Sequence, residues 1–216
     1  MLDELKRSVL QLARRCETRG LCLPRSGNFS MRDPDTGLVA VTPSALDRMS
    51  GDLSDICIVD LSGKAIEVKE GLKPTSEIQL HLRVYELRPD IRAVIHTHSR
   101  YATTLAILRR EIPPVVYEVM YYGGKVPLAP YGRPGTSELA DSVNGIIPHN
   151  DVCLLTAHGM LSTGADAESA FIKALYVEES ATLYYLALVA NGGKEPPTLP
   201  MEELEAWQYP EDFVHK

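Results

Sequence analysis

The sequence lacks a CxxC pair, a basic run and any apolar stretch near the roughly 20 residues that a membrane-spanning helix needs. Its four cysteines, Cys16, Cys22, Cys57 and Cys153, are scattered, three of them within apolar or helical patterns. That spacing argues against a disulfide scaffold or a cysteine-bound zinc, and predicts reduced, mostly buried thiols. With a formal net charge of -7 and no Lys/Arg face, nucleic acid is excluded as an expected partner. The opening MLDELKRSVL mixes acids and bases and has no apolar core of a signal peptide, so a cytoplasmic, membrane-free protein is expected. GxGxxG and Walker motifs, internal repeats and low-complexity segments are also missing. What remains is an ordinary globular composition, 44% hydrophobic and 24% charged over 216 residues, enough for one substantial domain over 1–216.

Leu2, Leu5, Val9, Leu12, Ala13 and Cys16 recur at helical spacing, which predicts an amphipathic helix over 3–18 that stops at Gly20. Short strands alternate with turns from Asn28 onward: Asn28–Arg32, Leu38–Thr42, then a hairpin of ICIVD and AIEVK. Ser76, with Gln79 three residues on, reads as an N-cap and capping box for a helix running to Arg88. AVIHTHS reads as a strand, 99–110 as a helix, Val115–Val119 and Lys125–Leu128 as strands. A helix over 135–147, a strand over 152–156 and a helix over 167–190 complete the pattern. Strands outnumber a regular β-α-β alternation. The expectation is an α/β three-layer α/β/α sandwich with a central mixed, largely antiparallel sheet.

On a strand, His96 and His98 of the HTH triplet share one face while Thr97 takes the other, the geometry two ligands of one metal need. Buried, hydrogen-bonded histidines give the same triplet, so a third ligand matters. His158, where an apolar strand runs into a glycine turn, is the best candidate, and three histidines with an open position form a catalytic pattern. His81, His149 and His215 read as structural or solvent-facing. Glu77, in the first turn of its helix, is a candidate ligand and general acid/base. Ser26-Gly27-Asn28 and Thr75-Ser76 are small polar loops able to offer N–H and O–H donors to a phosphate. Lys69, Lys73 and Lys125 lie near polar turns, which argues against a Schiff-base lysine.

These pieces occur in a fixed order: SGNFS at 26–30, TPSALD at 42–47, PTSE at 74–77, IHTHS at 95–99, APYGRPGT at 129–136 and LLTAHGM at 154–160. In order and separation they resemble the class II aldolase/adducin family nearly end to end. The resemblance implies one Zn²⁺ per subunit on His96, His98 and His158, with Glu77 as a further ligand and the acid/base; Mn²⁺ or Co²⁺ would suit the same donors. It implies a phosphate site at Asn28, Ser44, Thr75 and Ser76, a catalytic Tyr117 supplied by a neighbouring subunit, a second tyrosine at Tyr209, and a C4 homotetramer. The implied reaction is reversible cleavage of a small-molecule sugar phosphate, a ketose 1-phosphate such as L-fuculose 1-phosphate or a 5-deoxypentulose 1-phosphate, to dihydroxyacetone phosphate and a short aldehyde. Family alternatives are a 4-epimerase, which carries Asp where Glu77 stands, a methylthioribulose-phosphate dehydratase or a decarboxylase. A non-catalytic adducin-like module would have lost metal ligands that this sequence keeps. The family usually has Gly after TP[ST], where this chain has Ala45; a need for φ > 0 there would sit badly with Ala.

Overall fold

The structure, a computed structural model, describes residues 2–206. In chain order it contains α1 (Leu2–Thr18), β1 (Asn28–Arg32), β2 (Val39–Val41), β3 (Cys57–Val59), β4 (Ala65–Glu67), α2 (Ile78–Leu87), β5 (Ala93–Thr97), α3 (Arg100–Ile107), β6 (Leu128–Ala129), α4 (Ser137–Ser142), β7 (Val152–Leu155), β8 (Gly159–Gly164), α5 (Ala167–Ala190) and α6 (Met201–Glu205). The strands form one eight-stranded sheet in the order β4-β3-β2-β1-β5-β8-β7-β6. Every neighbouring pair is antiparallel except β6 with β7. The mixed, largely antiparallel sheet expected from the strand count is therefore present.

Strand alternation divides the core in two. Phe29, Ile95 and Met160 join one apolar cluster with residues of α1, α3 and α5. Val94 and Leu161, one position out of phase, join the other with Leu80 and Val84 of α2 and Leu139 of α4. This is the three-layer arrangement: period-2 strands present an apolar row to each side, and a helix stripe covers each row. In α5, Ala170, Ala174, Val177, Ala181, Tyr184 and Leu188 are buried at spacings of three and four. Asp166 starts that helix by accepting from the Ser169 N–H at 2.7 Å. No helix among the described residues is long and apolar enough to cross a membrane. All four cysteines are buried and unpaired.

Four expectations are corrected. Val115–Val119 is not a strand: Pro113 and Pro114 cannot donate to a ladder, and Tyr117–Tyr122 instead form a 3-10 turn. From the next segment only Leu128–Ala129 joins the sheet, with Val126 bridging Ile112. The helix expected over 135–147 is limited to Ser137–Ser142. Ser76 does not cap α2, which begins one residue later with Glu77 at the N-cap and no side-chain cap. The Glu77 N–H is instead taken by Thr75 Oγ1 at 3.3 Å, and its carboxylate is drawn away to Asn28 and the histidines.

Candidate metal and acid/base site

The site forms at the end of β5, between β1 and β8. Asn28 lies opposite His96 in the β1–β5 register, and His96 opposite Leu161 in the β5–β8 register. His158 comes from the tight β7–β8 turn. Ala157, just before it, takes a left-handed φ of 56°. Gly159, just after it, has no room for a side chain: a Cβ would lie 2.3 Å from the Thr97 carbonyl oxygen and 2.9 Å from His98 Cδ2. The turn thus presses His158 against the other two rings. Ring centroids are 4.8 Å apart for His96–His98, 4.6 Å for His96–His158 and 4.9 Å for His98–His158. His98 lies just beyond the strand end, yet its Nε2 still comes within 2.9 Å of His96 Nε2.

Glu77 reaches the cluster from the start of α2. Its Oε1 is 3.2 Å from His158 Nε2 and its Oε2 3.2 Å from His96 Nε2. Asn28 donates to Oε2 from Nδ2 at 2.8 Å. Burial by itself would raise the Glu77 carboxyl, but His158, His96 and Asn28 outweigh it and hold the group below its ordinary range. Burial pushes His96 down to about 3 against the pull of Glu77, and lowers His98 with help from His158. His96 Nδ1 sits 2.9 Å from the Met160 carbonyl oxygen, which only accepts, so Nδ1 carries the proton and Nε2 presents a lone pair. That lone pair faces a Glu77 oxygen. Acceptor facing acceptor is unfavourable unless a cation lies among them, and three imidazole nitrogens suit a divalent metal. The donor set therefore fits one.

The loop before β1 is held from below. The buried Arg48 guanidinium donates to Glu17 at 2.6 Å, to the Gly27 carbonyl at 3.1 Å and to the Ser26 carbonyl, and lies over the Phe29 ring. Ser26 Oγ then lies 3.2 Å from His98 Nδ1. The other two loops are laced together: the Ser44 N–H donates to Lys73 O at 3.0 Å, Ser44 Oγ to Pro74 O at 3.2 Å, and the Thr75 N–H to Thr42 O at 3.1 Å. Ser44 and Ser76 are exposed, and Thr75 is buried. Ala45 adopts φ 57°, so the left-handed conformation suited to Gly is kept with a Cβ in place.

The structure brings His96, His98, His158, Glu77 and Asn28 together. Tyr117 lies apart on the surface, 48% exposed, where it lines an open cavity of about 420 Å³ with Glu118, Met120 and Tyr121. Tyr209 and His215 lie outside the described residues. Of the two readings open for His81, structural or solvent-facing, the first holds: it is fully buried, with Nε2 2.6 Å from Asn28 Oδ1 and Nδ1 2.7 Å from Ser30 Oγ. The available signal was its place four residues after Glu77, on the same helix face.

Fold and site define an α/β/α enzyme domain with a histidine–carboxylate centre fit for a divalent cation. Residues 7–185 match the Class II Aldolase and Adducin N-terminal domain, and the chain belongs to that family. It is 35% identical to 5-deoxy-D-ribulose 1-phosphate aldolase of Bacillus thuringiensis serovar kurstaki, over 95% of this chain and 94% of that one. It is 36% identical to 5-methylthioribulose-1-phosphate/5-deoxyribulose-1-phosphate aldolase of Rhodospirillum rubrum, over 93% of this chain and 88% of the relative. A solved L-fuculose 1-phosphate aldolase superimposes with a TM-score of 0.87 at 35% identity, covering 94% of this chain and 93% of the other. With such relatives along nearly its whole length, the chain is a class II aldolase, a carbon–carbon lyase.

Proposed function

We propose that this aldolase cleaves a 5-deoxypentulose 1-phosphate, with His96, His98 and His158 holding a zinc ion and Glu77 moving the proton. Breaking the bond between the third and fourth carbons of such a sugar leaves dihydroxyacetone phosphate and a two-carbon aldehyde. The names of the relatives from Bacillus thuringiensis and Rhodospirillum rubrum support this substrate over the six-carbon L-fuculose 1-phosphate. The observation that carries the reading is the convergence of three imidazoles, two of them 3.2 Å from a buried carboxylate, with no proton shared between Glu77 and His96.

A divalent cation at this centre supplies Lewis acidity toward the carbonyl and hydroxyl oxygens of the ketose. Glu77 delivers a proton to the third carbon once the bond has broken, and removes it in the direction of synthesis. Depth inside the site keeps its carboxylate from bulk water, with 6% of the residue exposed. Asn28, Ser44, Thr75 and Ser76 bind the phosphate through side-chain N–H and O–H donors, the Ser44 hydroxyl turning from Pro74 O to do so, consistent with an acidic chain that has no basic face. Tyr117 exchanges the proton of the hydroxyl on the aldehyde side. Its exposed position suits service to a neighbouring copy's site in a C4 homotetramer. The setting is cytoplasmic.

The test is native purification, metal content by mass spectrometry, and triose-phosphate release from 5-deoxyribulose, 5-methylthioribulose and L-fuculose 1-phosphates. Zinc near one per chain is expected, with fastest release from the 5-deoxy sugar. Glu77→Gln should lose release and keep metal; His96→Ala should lose both. Bound metal with no triose phosphate from any of the three sugars would overturn the reading.

A further inference from the structure

Behind Glu77 runs a file of polar side chains with one consistent direction. Ionised Glu77 only accepts, so the amide nitrogen of Asn28 faces Oε2 at 2.8 Å. Oδ1 of the same amide then faces His81 Nε2 at 2.6 Å, and Nε2 must donate. A neutral imidazole has one N–H, so Nδ1 accepts from Ser30 Oγ at 2.7 Å. Tyr85 Oη lies 2.7 Å from Ser30 Oγ and donates to it in turn. Ser30 and His81 are 0% exposed and Tyr85 1%, so bulk water cannot stand in for a missing partner.

The two ends of an Asn amide are nearly equal in size, and only hydrogen bonds decide which way it faces. With Asn28 inverted, Oδ1 would oppose the Glu77 carboxylate, acceptor against acceptor. His81 would then need the other tautomer, with Ser30 and Tyr85 reversed. The tautomer of His81 and the flip of Asn28 are thus one variable, read out at Glu77.

We propose that His81 is a positioning residue for Glu77: its Nε2–H, with Nδ1 satisfied by Ser30 and Tyr85 behind it, holds the Asn28 amide and so aims the carboxylate at the histidine cluster. The consequence for turnover rests on the reading of Glu77 as the proton carrier; the tautomer itself does not. His81→Leu should lower kcat about 10- to 100-fold, the range typical of partners that orient a reacting group. KM should rise by less than kcat falls, because Asn28 is only one of the four groups assigned to the phosphate. His81→Gln keeps a donor for Asn28 and should restore part of the rate. Ser30→Ala leaves the buried Nδ1 without a donor and loosens the ring, which should cost about tenfold, whereas Tyr85→Phe should cost least, since Ser30 can still donate. An effect on packing alone would place Tyr85→Phe with Ser30→Ala, since each removes one buried oxygen atom.

The independent readout is nitrogen NMR of metal-free, ¹⁵N-histidine-labelled protein, with the His81 signals identified by their loss in His81→Gln. The expected result is an Nε2–H and an unprotonated Nδ1 in the wild type, and a displaced Nδ1 signal in Ser30→Ala, where that nitrogen has lost its donor. An Nδ1–H in the wild type, or a folded His81→Leu with wild-type kcat, would overturn the proposal. If His81→Leu fails to fold, Ser30→Ala and His81→Gln carry the kinetic comparison. If the wild type releases no triose phosphate, the substrate reading fails, and the tautomer measurement judges His81 alone.

Discussion

The two faces of the central sheet are built from the same strands and differ in kind. Toward α1, α3 and α5 the rows are apolar, with Phe29, Ile95 and Met160 in one continuous core. Toward α2, the neighbouring positions Asn28, Ser30 and His96 meet Glu77, His81 and Tyr85. One face holds the domain together by burial. The other interrupts its apolar layer with hydrogen-bonded groups that need exact partners, because an unpaired buried polar group costs about 1–3 kcal/mol. The lesson is that the site is not added to the fold at a loop; it is the alternate phase of the same strands. A one-residue slip of β1 would exchange the two roles.

The contrast can be broken most severely at Gly159. Gly159→Ala places a methyl against the Thr97 carbonyl and the His98 ring. Stability should fall by about 3 kcal/mol, as overpacking of a tight site does, and bound metal should drop at least roughly tenfold. Thermal denaturation and metal analysis check both.

Acidification separates the faces next. Burial pushes His81 down to about 4, while an unfolded chain takes up the proton near its ordinary value of about 6.5. The neutral imidazole therefore stabilises the fold fully above that value. The contribution drains away as pH falls from about 6.5 toward 4, by roughly 3 kcal/mol at most. Urea unfolding across this window should show a steeper loss for the wild type than for His81→Gln; equal slopes would refute it.

On the apolar face, Val177→Ala removes two methyl groups from fully buried α5 packing. It should cost about 2 kcal/mol of stability and leave kcat and KM of the folded enzyme unchanged. A kcat loss there would mean that the two faces are coupled.

The smallest effect is expected at Ala45→Gly. Relief of a left-handed alanine, about 1 kcal/mol, is partly offset by the greater freedom of glycine in the unfolded chain, about 0.5 kcal/mol. A net rise in stability below about 1 kcal/mol is expected, read from the melting temperature.

Much of this was legible in the residues themselves. The 167–190 helix was visible because its apolar spacing, the Asp166 cap and the Gly192-Gly193 stop agree. The clustering of His96, His98 and His158 was visible because alternation along one strand and a glycine turn are local signals. The segment around Tyr117 misled, since a run of β-branched and aromatic residues outweighed the two prolines before it. Ser76 misled because the capping pattern competes with contacts that lie across the sheet.

By itself the sequence determined the helices, the strand alternation and the identity of the histidine, carboxylate and small polar groups, because these depend on near neighbours in the chain. Only the tertiary structure decided that Asn28 faces His96, that Gly159 presses three rings together, and that His81 stands behind Glu77. Those facts depend on strand register and helix placement, where residues 49 to 64 positions apart become hydrogen-bond partners.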